Sequence, residues 1–271
     1  MTTDSSATLV LKVGYRGAGF SGYAEQDGER TVAGELRRAL EVLLRRPCEL
    51  TCAGRTDAGV SALAQYVSLP VMARELEREP RRVWRSLMAI TPEDISIRGL
   101  YVADQGFSAR FDAQSRSYRY RIACGNAQPV LAWDYAWWVR NELDVESMSE
   151  AVQALVGEHD FRSFCKVSSA QKLLEDGRST NRCVTRAEVT CVCECGEDLI
   201  AIDVDGNAFL HNMVRIIVGS LVEVGRGNRS AEWLQRALVA CDRRAAGPTA
   251  PAKGLVFQNV VYPTGALVPW K

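Results

Sequence analysis

Residues 54–62 have the sequence GRTDAGVSA and lie between the apolar segment Leu50–Ala53 and a predicted strand from Gln65 to Val71. Extended segments joined by a turn that contains two glycines predict part of a β-sheet. An aspartate in this turn, next to an arginine and at the end of a strand, is placed where a carboxylate can face a cleft. The same residues also fit an Asp-Ala-Gly turn whose carboxylate caps the backbone, and taken alone the segment favours that interpretation.

Outward from this turn, the sequence predicts strands and helices in an irregular order. Strands are predicted at Thr8–Val13, Ile95–Val102, Ser117–Ile122, Cys183–Val192, Leu199–Val204 and Leu255–Tyr262. Helices are predicted from Thr31 to about Arg45, from Pro80, over Asp144–Val156 and Ala208–Val224, and after Ser230. The glycine-rich residues 14–28 and the polar residues 166–182 are predicted to form flexible loops. Because no regular β-α-β alternation is present, we predict an α+β fold with a mixed sheet.

The chain length of 271 residues fits one large domain or two modest ones. Each half of the sequence contains a strand–helix–strand grouping, and no long linker or low-complexity segment interrupts it. We therefore predict two α/β halves, residues 1–110 and residues 111–271.

The charge composition restricts the kind of nucleic-acid surface that is possible. Lys+Arg and Asp+Glu both total 33, so the formal net charge is zero. This balance excludes a uniformly basic surface. A local basic cleft stays possible, because phosphate binding needs positive charge in one place only.

The cysteines and the apolar segments predict a cytoplasmic location. Nine cysteines are an odd number, in a chain too long to need disulfide staples. Met1–Thr8 has neither the basic segment nor the apolar core of a signal peptide. The longest apolar run, near Ile216 to Val222, is too short to span a bilayer. We expect free thiols and no membrane association.

Two further segments are candidates for a functional role. In Arg116–Arg121, tyrosines and arginines alternate along a strand; the rings could stack on a base while arginines contact phosphate, or the strand could be half-buried with a solvated arginine face. In Phe209–Gly219, Arg215 is the single charged residue of an apolar helix. A buried arginine needs an anionic partner, although one at the edge of an apolar stripe can also extend to solvent.

Several common catalytic sites are excluded by the motifs. His159 and His211 are the only histidines and cannot form a multi-histidine metal site. Cys191, Cys193 and Cys195 alternate along a strand and lack the second distant pair that structural zinc requires. Neither a GxSxG nor an HExxH motif is present. Carboxylate chemistry without a metal is the class that these exclusions leave.

Five ordered segments resemble the TruA family of tRNA pseudouridine synthases over nearly the whole chain. They are GRTDAGVSA (54–62), SRSYRYRI (115–122), GEHDFRSF (157–164), FLHNMVRIIVG (209–219) and APAKGLVF (250–257). The resemblance implies the pseudouridine synthase fold, in which two α/β halves share a mostly antiparallel mixed central sheet with helices on its outer face. It also implies that residues 1–110 contain the catalytic aspartate and that residues 111–271 contain the base-stacking tyrosine and the pairing arginine.

The resemblance assigns a role to five residues. Asp57 matches the essential aspartate, and Arg55 matches an arginine that helps to extrude the uridine from its stem. Tyr118 matches the ring that packs on the target base. Arg215 matches the basic residue that forms a salt bridge with the catalytic carboxylate, and Leu255 matches an apolar residue of the uracil pocket.

The implied activity is the isomerisation of uridine to pseudouridine at positions 38–40 of the tRNA anticodon stem-loop. The reaction breaks and re-forms one glycosidic bond and needs no redox equivalent, so no cofactor and no metal are expected. The aspartate can act as nucleophile or as base, and the residues do not distinguish these roles. The resemblance further implies a homodimer that binds tRNA in a basic cleft.

Three positions depart from the family pattern. The family commonly has histidine where this chain has Ser61 and Ser108, and an aromatic-Gln pair where it has Tyr23 and Ala24. None of these positions belongs to the catalytic set, so the departures concern the RNA-docking surface. Two alternatives therefore stay open: a family member that modifies a different RNA uridine, and a non-catalytic tRNA-binding or tRNA-folding protein.

Overall fold

The computed structural model describes residues 7–271. In chain order its strands are β1 (Ala7–Tyr15), β2 (Thr51–Cys52), β3 (Ser61–Val71), β4 (Ile95–Ala103), β5 (Ser115–Cys124), β6 (Trp137–Val139), β7 (Gly157–Asp160), β8 (Asn181–Glu194), β9 (Glu197–Gly206), β10 (Leu255–Val261) and β11 (Val268–Pro269). Its helices are α1 (Val32–Leu44), α2 (Ala73–Leu76), α3 (Pro80–Ile90), α4 (Val145–Val152), α5 (Val167–Glu175), α6 (Met213–Gly225) and α7 (Ala231–Val239). The predicted α+β fold with a mostly antiparallel mixed sheet is confirmed.

The chain groups into two compact units. The first unit contains the residues up to Arg116 together with Phe257–Lys271, and the second contains Ser117–Val256. The chain therefore leaves the first unit once and returns to it near its end, within β10. No helix in the described part of the chain is long and apolar enough to cross a membrane.

In the first unit, β1 is a central strand. It pairs antiparallel with β3 on one side and with β4 on the other. The strands β2 and β11 pair antiparallel with β3 and β4, and β10 lies next to β3. Seven of the nine β1 residues are buried, as expected for a strand whose two faces are both covered. Its Leu and Val residues supply the core of this unit.

The helices of the first unit begin where the sequence predicts. Thr31 caps α1, because its side-chain oxygen accepts a hydrogen bond from the Gly34 amide at 3.3 Å. Pro80 is the first residue of α3, a position where its missing N–H costs nothing. In both helices the buried residues are apolar and recur at helical spacing, which seats one face on the core.

In the second unit, β8 and β9 form a long antiparallel hairpin, with β7 antiparallel to β8 and β5 next to β9. The short β6 runs parallel to β5. Helix α4 packs against α6, α7 and β8. Eleven of the thirteen residues of α6 are buried, which makes it the central helix of this unit.

The prediction of a loop over residues 166–182 is wrong, because Val167–Glu175 form α5. Its inward face is only Ala170 and the half-buried Leu173, three residues apart. So short an apolar stripe is below what a helical pattern needs to be recognised in the sequence. The helix predicted from Ala208 begins instead at Met213, since Asn212 adopts a left-handed conformation with φ of 64°.

Candidate active site

The segment that contains Asp57 connects β2 to β3 and is fixed at its start by buried polar side chains. Gln65 is fully buried, and its amide group bonds both to the Gly54 amide, at 3.3 Å, and to the Gly54 carbonyl. Arg116, which is 8% exposed, donates from Nε and Nη2 to the Ala53 carbonyl at 3.2 and 3.1 Å. A buried amide and a buried guanidinium with satisfied bonds hold a backbone rigidly, because breaking those bonds leaves a desolvated polar group.

The glycine-rich residues 14–28 pack directly against this segment. The Tyr23 amide donates to the Thr56 carbonyl at 3.0 Å, and the Gly59 amide donates to the Phe20 carbonyl at 3.4 Å. Gly22 has a φ of +105°, and a Cβ there would lie 3.2 Å from the Thr56 oxygen. Glycine at this position therefore allows two backbones to approach each other closely.

Asp57 itself lies in a tight turn and is half-buried. Its carbonyl accepts a hydrogen bond from the Val60 amide at 3.1 Å. The neighbouring Thr56 is buried and its side chain bonds to the Tyr15 hydroxyl at 2.8 Å, while Arg55 is exposed. Burial raises the pKa of the Tyr15 phenol well above its ordinary value, so this hydroxyl stays neutral. Asp57 and Arg55 are thus presented at the surface from a fixed backbone.

The positions that depart from the family pattern have local structural roles. The Gly17 amide donates to Ser61 Oγ at 3.0 Å, which joins the glycine-rich loop to the start of β3. Ser108 Oγ accepts from the Phe111 amide at 3.4 Å within a turn. Tyr23 is 4% exposed, and its ring lies 6.4 Å from that of Tyr15.

Tyr118 lies on β5 in the second unit and is 8% exposed. Its ring meets Phe209 edge-on, with the centroids 4.9 Å apart at an interplanar angle of 79°. This arrangement is a favourable one for aromatic pairs and fixes the orientation of the tyrosine ring. The predicted alternation along the strand is confirmed on the aromatic side, where Tyr118, Tyr120 and Ile122 are all buried.

The arginine side of β5 differs from both interpretations of the sequence. Arg119 forms two 2.8 Å bonds to Asp203, and Arg121 bonds to Glu194 at 2.7 Å. These arginines are neither a solvated face nor free to contact phosphate, because carboxylates of β8 and β9 already neutralise them.

Arg215 lies in the first turn of α6. Its Nε donates to the Ala250 carbonyl at 2.8 Å, and its Nη1 donates to Asn212 Oδ1 at 3.1 Å. The Ala250 amide in turn donates to the Arg215 carbonyl. This reciprocal contact ties residues 250–257, which contain Leu255, to the helix that presents the guanidinium.

Leu255 begins β10 and is 5% exposed. The residues before it are fixed by Tyr120, whose hydroxyl donates to the Pro251 carbonyl at 2.8 Å. A Cβ on Gly254 would lie 2.5 Å from the Tyr120 ring, so only glycine allows this approach.

The structure thus groups the predicted site residues by unit. Asp57 and Arg55 belong to the first unit, and Tyr118, Arg215 and Leu255 belong to the second; the pairing of Asp57 with Arg215 stays a prediction. The sequence did not single out Gln65 or the backbone contacts of Arg116 and Gly22. Among residues 7–271, no group of three or more His, Cys, Asp or Glu side chains could hold a metal ion.

Known proteins match this chain over nearly its full length. A family model described as tRNA pseudouridine synthase matches residues 151–263. The tRNA pseudouridine synthase A of Brevibacillus brevis is 41% identical over 261 residues, covering 94% of this chain and 99% of the relative. That of Geobacillus sp. strain WCH70 is 38% identical, covering 95% and 99%. That of Xanthomonas euvesicatoria is 39% identical, covering 94% and 95%.

These relatives confirm the resemblance that the five ordered segments indicated. The matches to the Brevibacillus and Xanthomonas proteins each cover 94% of the chain, so they include most of both units. The chain therefore belongs to the tRNA pseudouridine synthase A family and is an isomerase that acts on uridine in tRNA.

Proposed function

We propose that this isomerase modifies positions 38–40 of the tRNA anticodon stem-loop and that Asp57 is its catalytic residue. Positions 38–40 are what the resemblance to the family implies, and the observation that supports the role of Asp57 most is its setting. Its segment is fixed by Gln65, Arg116 and the glycine-rich loop, yet the aspartate is only half-buried. A rigid backbone that presents a reachable carboxylate is what catalysis at a fixed position requires.

The reaction changes the atom of the uracil ring that is bonded to C1′ of the ribose. The glycosidic bond between C1′ and N1 breaks, the detached uracil turns, and C5 bonds to C1′. C5 then loses its hydrogen as a proton and N1 gains one, so substrate and product are isomers. Asp57 would act at the sugar, as nucleophile or as base. Arg215 would pair with this carboxylate and orient it.

The uridine must leave the helical stack before Asp57 can reach its sugar. Extrusion of a base costs about a few kcal/mol. Arg55 is exposed beside Asp57 and would occupy the space that the uridine vacates. Tyr118 would pack on the extruded uracil and Leu255 would line its pocket, offsetting part of this cost.

Mapping the modified positions tests the proposed substrate. Unmodified tRNA transcripts would be incubated with the protein, and pseudouridine located by carbodiimide labelling and primer extension. We expect stops at positions 38, 39 or 40, and their loss when the uridine at that position is replaced by cytidine. Modification only outside the anticodon stem-loop would contradict the proposed position and favour a different RNA uridine.

We also propose that the protein is a cytoplasmic homodimer. All nine cysteines are free thiols, which supports a reducing compartment. Sedimentation equilibrium is expected to give about twice the chain mass of 29.9 kDa. Cell fractionation is expected to recover the protein with soluble cytoplasmic markers. A mass near that of one chain would contradict the homodimer. Recovery outside the cytoplasm would contradict the proposed location.

A further inference from the structure

A turn at residues 108–112 exposes a phenylalanine to solvent. Phe111 is 79% exposed, as much as any large apolar side chain in the described part of the chain. Single exposed apolar residues are common on protein surfaces and need no functional explanation by themselves. The backbone that presents this ring, however, is fixed in an unusually complete way.

Hydrogen bonds within the turn hold its ends together. The Ser108 amide donates to Asp112 Oδ2 at 2.7 Å, and the Asp112 amide donates to the Ser108 carbonyl at 3.1 Å. The Phe111 amide donates to Ser108 Oγ at 3.4 Å. The direction of the Phe111 Cα–Cβ bond is therefore set by its own turn.

Further bonds anchor the turn to the first unit. Ala109 is fully buried; its amide donates to Ser68 Oγ at 3.0 Å, and its carbonyl accepts from the Tyr262 hydroxyl at 2.7 Å. The Arg110 carbonyl accepts a hydrogen bond from Arg116 Nη2. A backbone held this way loses little conformational entropy when a ligand covers the ring that it presents.

The same arginine places the turn beside the segment that contains Asp57. Arg116 Nη2 donates to the Arg110 carbonyl and also to the Ala53 carbonyl, at 3.1 Å for the latter. Ala53 immediately precedes residues 54–62. The Arg110 carbonyl, one residue before Phe111, and the Ala53 carbonyl, directly before the Asp57 segment, therefore accept hydrogen bonds from the same nitrogen atom.

The surroundings of the ring favour an anionic and aromatic ligand. The Arg110 guanidinium lies 5.3 Å from the centroid of Phe111, and Arg110 and Arg55 are both exposed. Both charges act on the nearby Cys52 thiol, where they counter the rise in its pKa that burial causes. An exposed ring with an arginine beside it is a combination that stacks a nucleobase and attracts its phosphates.

We infer that Phe111 is a stacking site for a nucleobase of the substrate RNA that neighbours the extruded uridine, outside the uracil pocket. The inference rests on the proposed function and adds a second aromatic contact, on the first unit, to the one assigned to Tyr118. The neighbouring base loses a stacking partner when the uridine leaves. Phe111 stacks on the face of the base that is uncovered in this way, and Arg55 fills the rest of the vacated space.

Photocrosslinking tests the contact directly. A tRNA anticodon stem-loop would carry one 5-iodouridine next to the target position and would be irradiated in complex with the full-length protein. We expect the crosslink to map to Phe111 by mass spectrometry, and to disappear in Phe111→Ala. A crosslink elsewhere from both neighbouring positions would overturn the inference.

Kinetics test whether the contact matters. We expect Phe111→Ala to raise KM for the stem-loop by about five- to hundred-fold, the range of one base stack. kcat should stay within about two-fold, and the melting temperature should not change because the ring is exposed. Phe111→Tyr, which keeps the ring face, should restore KM. Val42→Ala, at an apolar residue of α1 that is 59% exposed, is the matched control and should behave as wild type.

The experiments distinguish failure of the proposed function from failure of the stacking site at Phe111. Wild-type protein that forms no pseudouridine in any tRNA would contradict the proposed function. Wild-type protein that modifies tRNA normally, with an unchanged KM in Phe111→Ala, would overturn only the stacking site. An equal loss in Phe111→Ala and Phe111→Tyr would also overturn it, since an unstacked role for the position would then explain the effect.

Discussion

At the scale of single residues, Asp57 lies on a backbone segment that the buried side chains of Gln65 and Arg116 hold in place. Asp57 and Arg215 are charged residues in a turn and in an apolar helix, and such residues raise the question of a partner at once. Gln65 lies in a strand and shows its function only through its two bonds to Gly54. A buried amide has no sequence signal until its acceptor and donor are known.

Replacing Asp57 separates chemistry from binding. We expect Asp57→Asn to abolish isomerisation while the Kd for tRNA stays within a few-fold, because the amide keeps the shape of the turn and loses the carboxylate. Rates are measured in single turnover and Kd by filter binding. Asp27→Asn, at an exposed aspartate of the glycine-rich loop, is the control and should keep both values. Loss of activity and affinity together would mean that Asp57 is structural.

Replacing Tyr118 tests which part of its side chain is needed. Phe209 holds the ring edge-on and the ring face supplies the proposed contact with the base, so Tyr118→Phe should retain activity within about ten-fold. Tyr118→Ala removes the face and should lose more than ten-fold in kcat/KM, measured with the same tRNA. Activity like that of wild type in Tyr118→Ala would contradict the stacking role.

At the scale of elements, the glycine-rich residues 14–28 support the Asp57 segment. Their glycine spacing predicted only a loop, because close approach to another backbone is a tertiary property. Gly17 shows the same requirement as Gly22: a Cβ on Gly17 would lie 2.3 Å from the Val60 carbonyl carbon. The loop and the Asp57 turn can therefore pack this closely only because the glycines at these positions have no side chain.

A pair of glycine substitutions tests this support. Gly22 and Gly28 both have positive φ, of +105° and +75°, but nothing lies within 4 Å of a Cβ on Gly28. Each alanine should destabilise the protein by about 1 kcal/mol through backbone strain. Only Gly22→Ala should also displace Thr56 and Ala58, and we expect its kcat to fall at least about ten-fold. Equal kcat values for the two variants would argue against the support.

Arg119 and Arg121 of β5 pair with carboxylates of the second unit, and we expect them to stabilise this unit and not to bind RNA. The bidentate pair of Arg119 with Asp203 is partly buried, with side chains 31% and 10% exposed. A double-mutant cycle with Arg119→Met and Asp203→Asn, measured by urea unfolding, should give a coupling of about 1–2 kcal/mol. The same Arg119→Met variant should bind tRNA as wild type does. A coupling near zero would contradict a stabilising pair with Asp203. A loss of tRNA affinity would show that Arg119 contributes to RNA binding.

At the scale of the whole molecule, the α+β class was predictable because strand and helix segments follow one another irregularly and each has a clear period. Thr31 as the N-cap of α1 and Pro80 as the first residue of α3 made the starts of these two helices predictable. Helix α5 was missed because its buried face is only two residues. The direction of the β5 arginines was missed because their partners, Asp203 and Glu194, lie more than seventy residues away in sequence.

The balance of charge predicts how tRNA binding depends on salt. The chain has zero net charge, so we expect attraction to RNA to come from local cations, and Arg55 and Arg110 are exposed candidates. Two or more phosphate contacts would weaken binding by about ten-fold or more between 50 and 200 mM KCl. We expect at least this decrease in filter binding. An affinity that does not change with salt would contradict a charged RNA interface.

The most direct test of the account is tritium release from tRNA that carries [5-³H]uridine, with wild type beside Asp57→Ala. Formation of pseudouridine displaces the hydrogen at C5, so released tritium reports the chemical step itself. We expect release by the wild-type protein, to about one equivalent per modified position, and none by Asp57→Ala. Release by Asp57→Ala at the wild-type rate would contradict the central role of this aspartate.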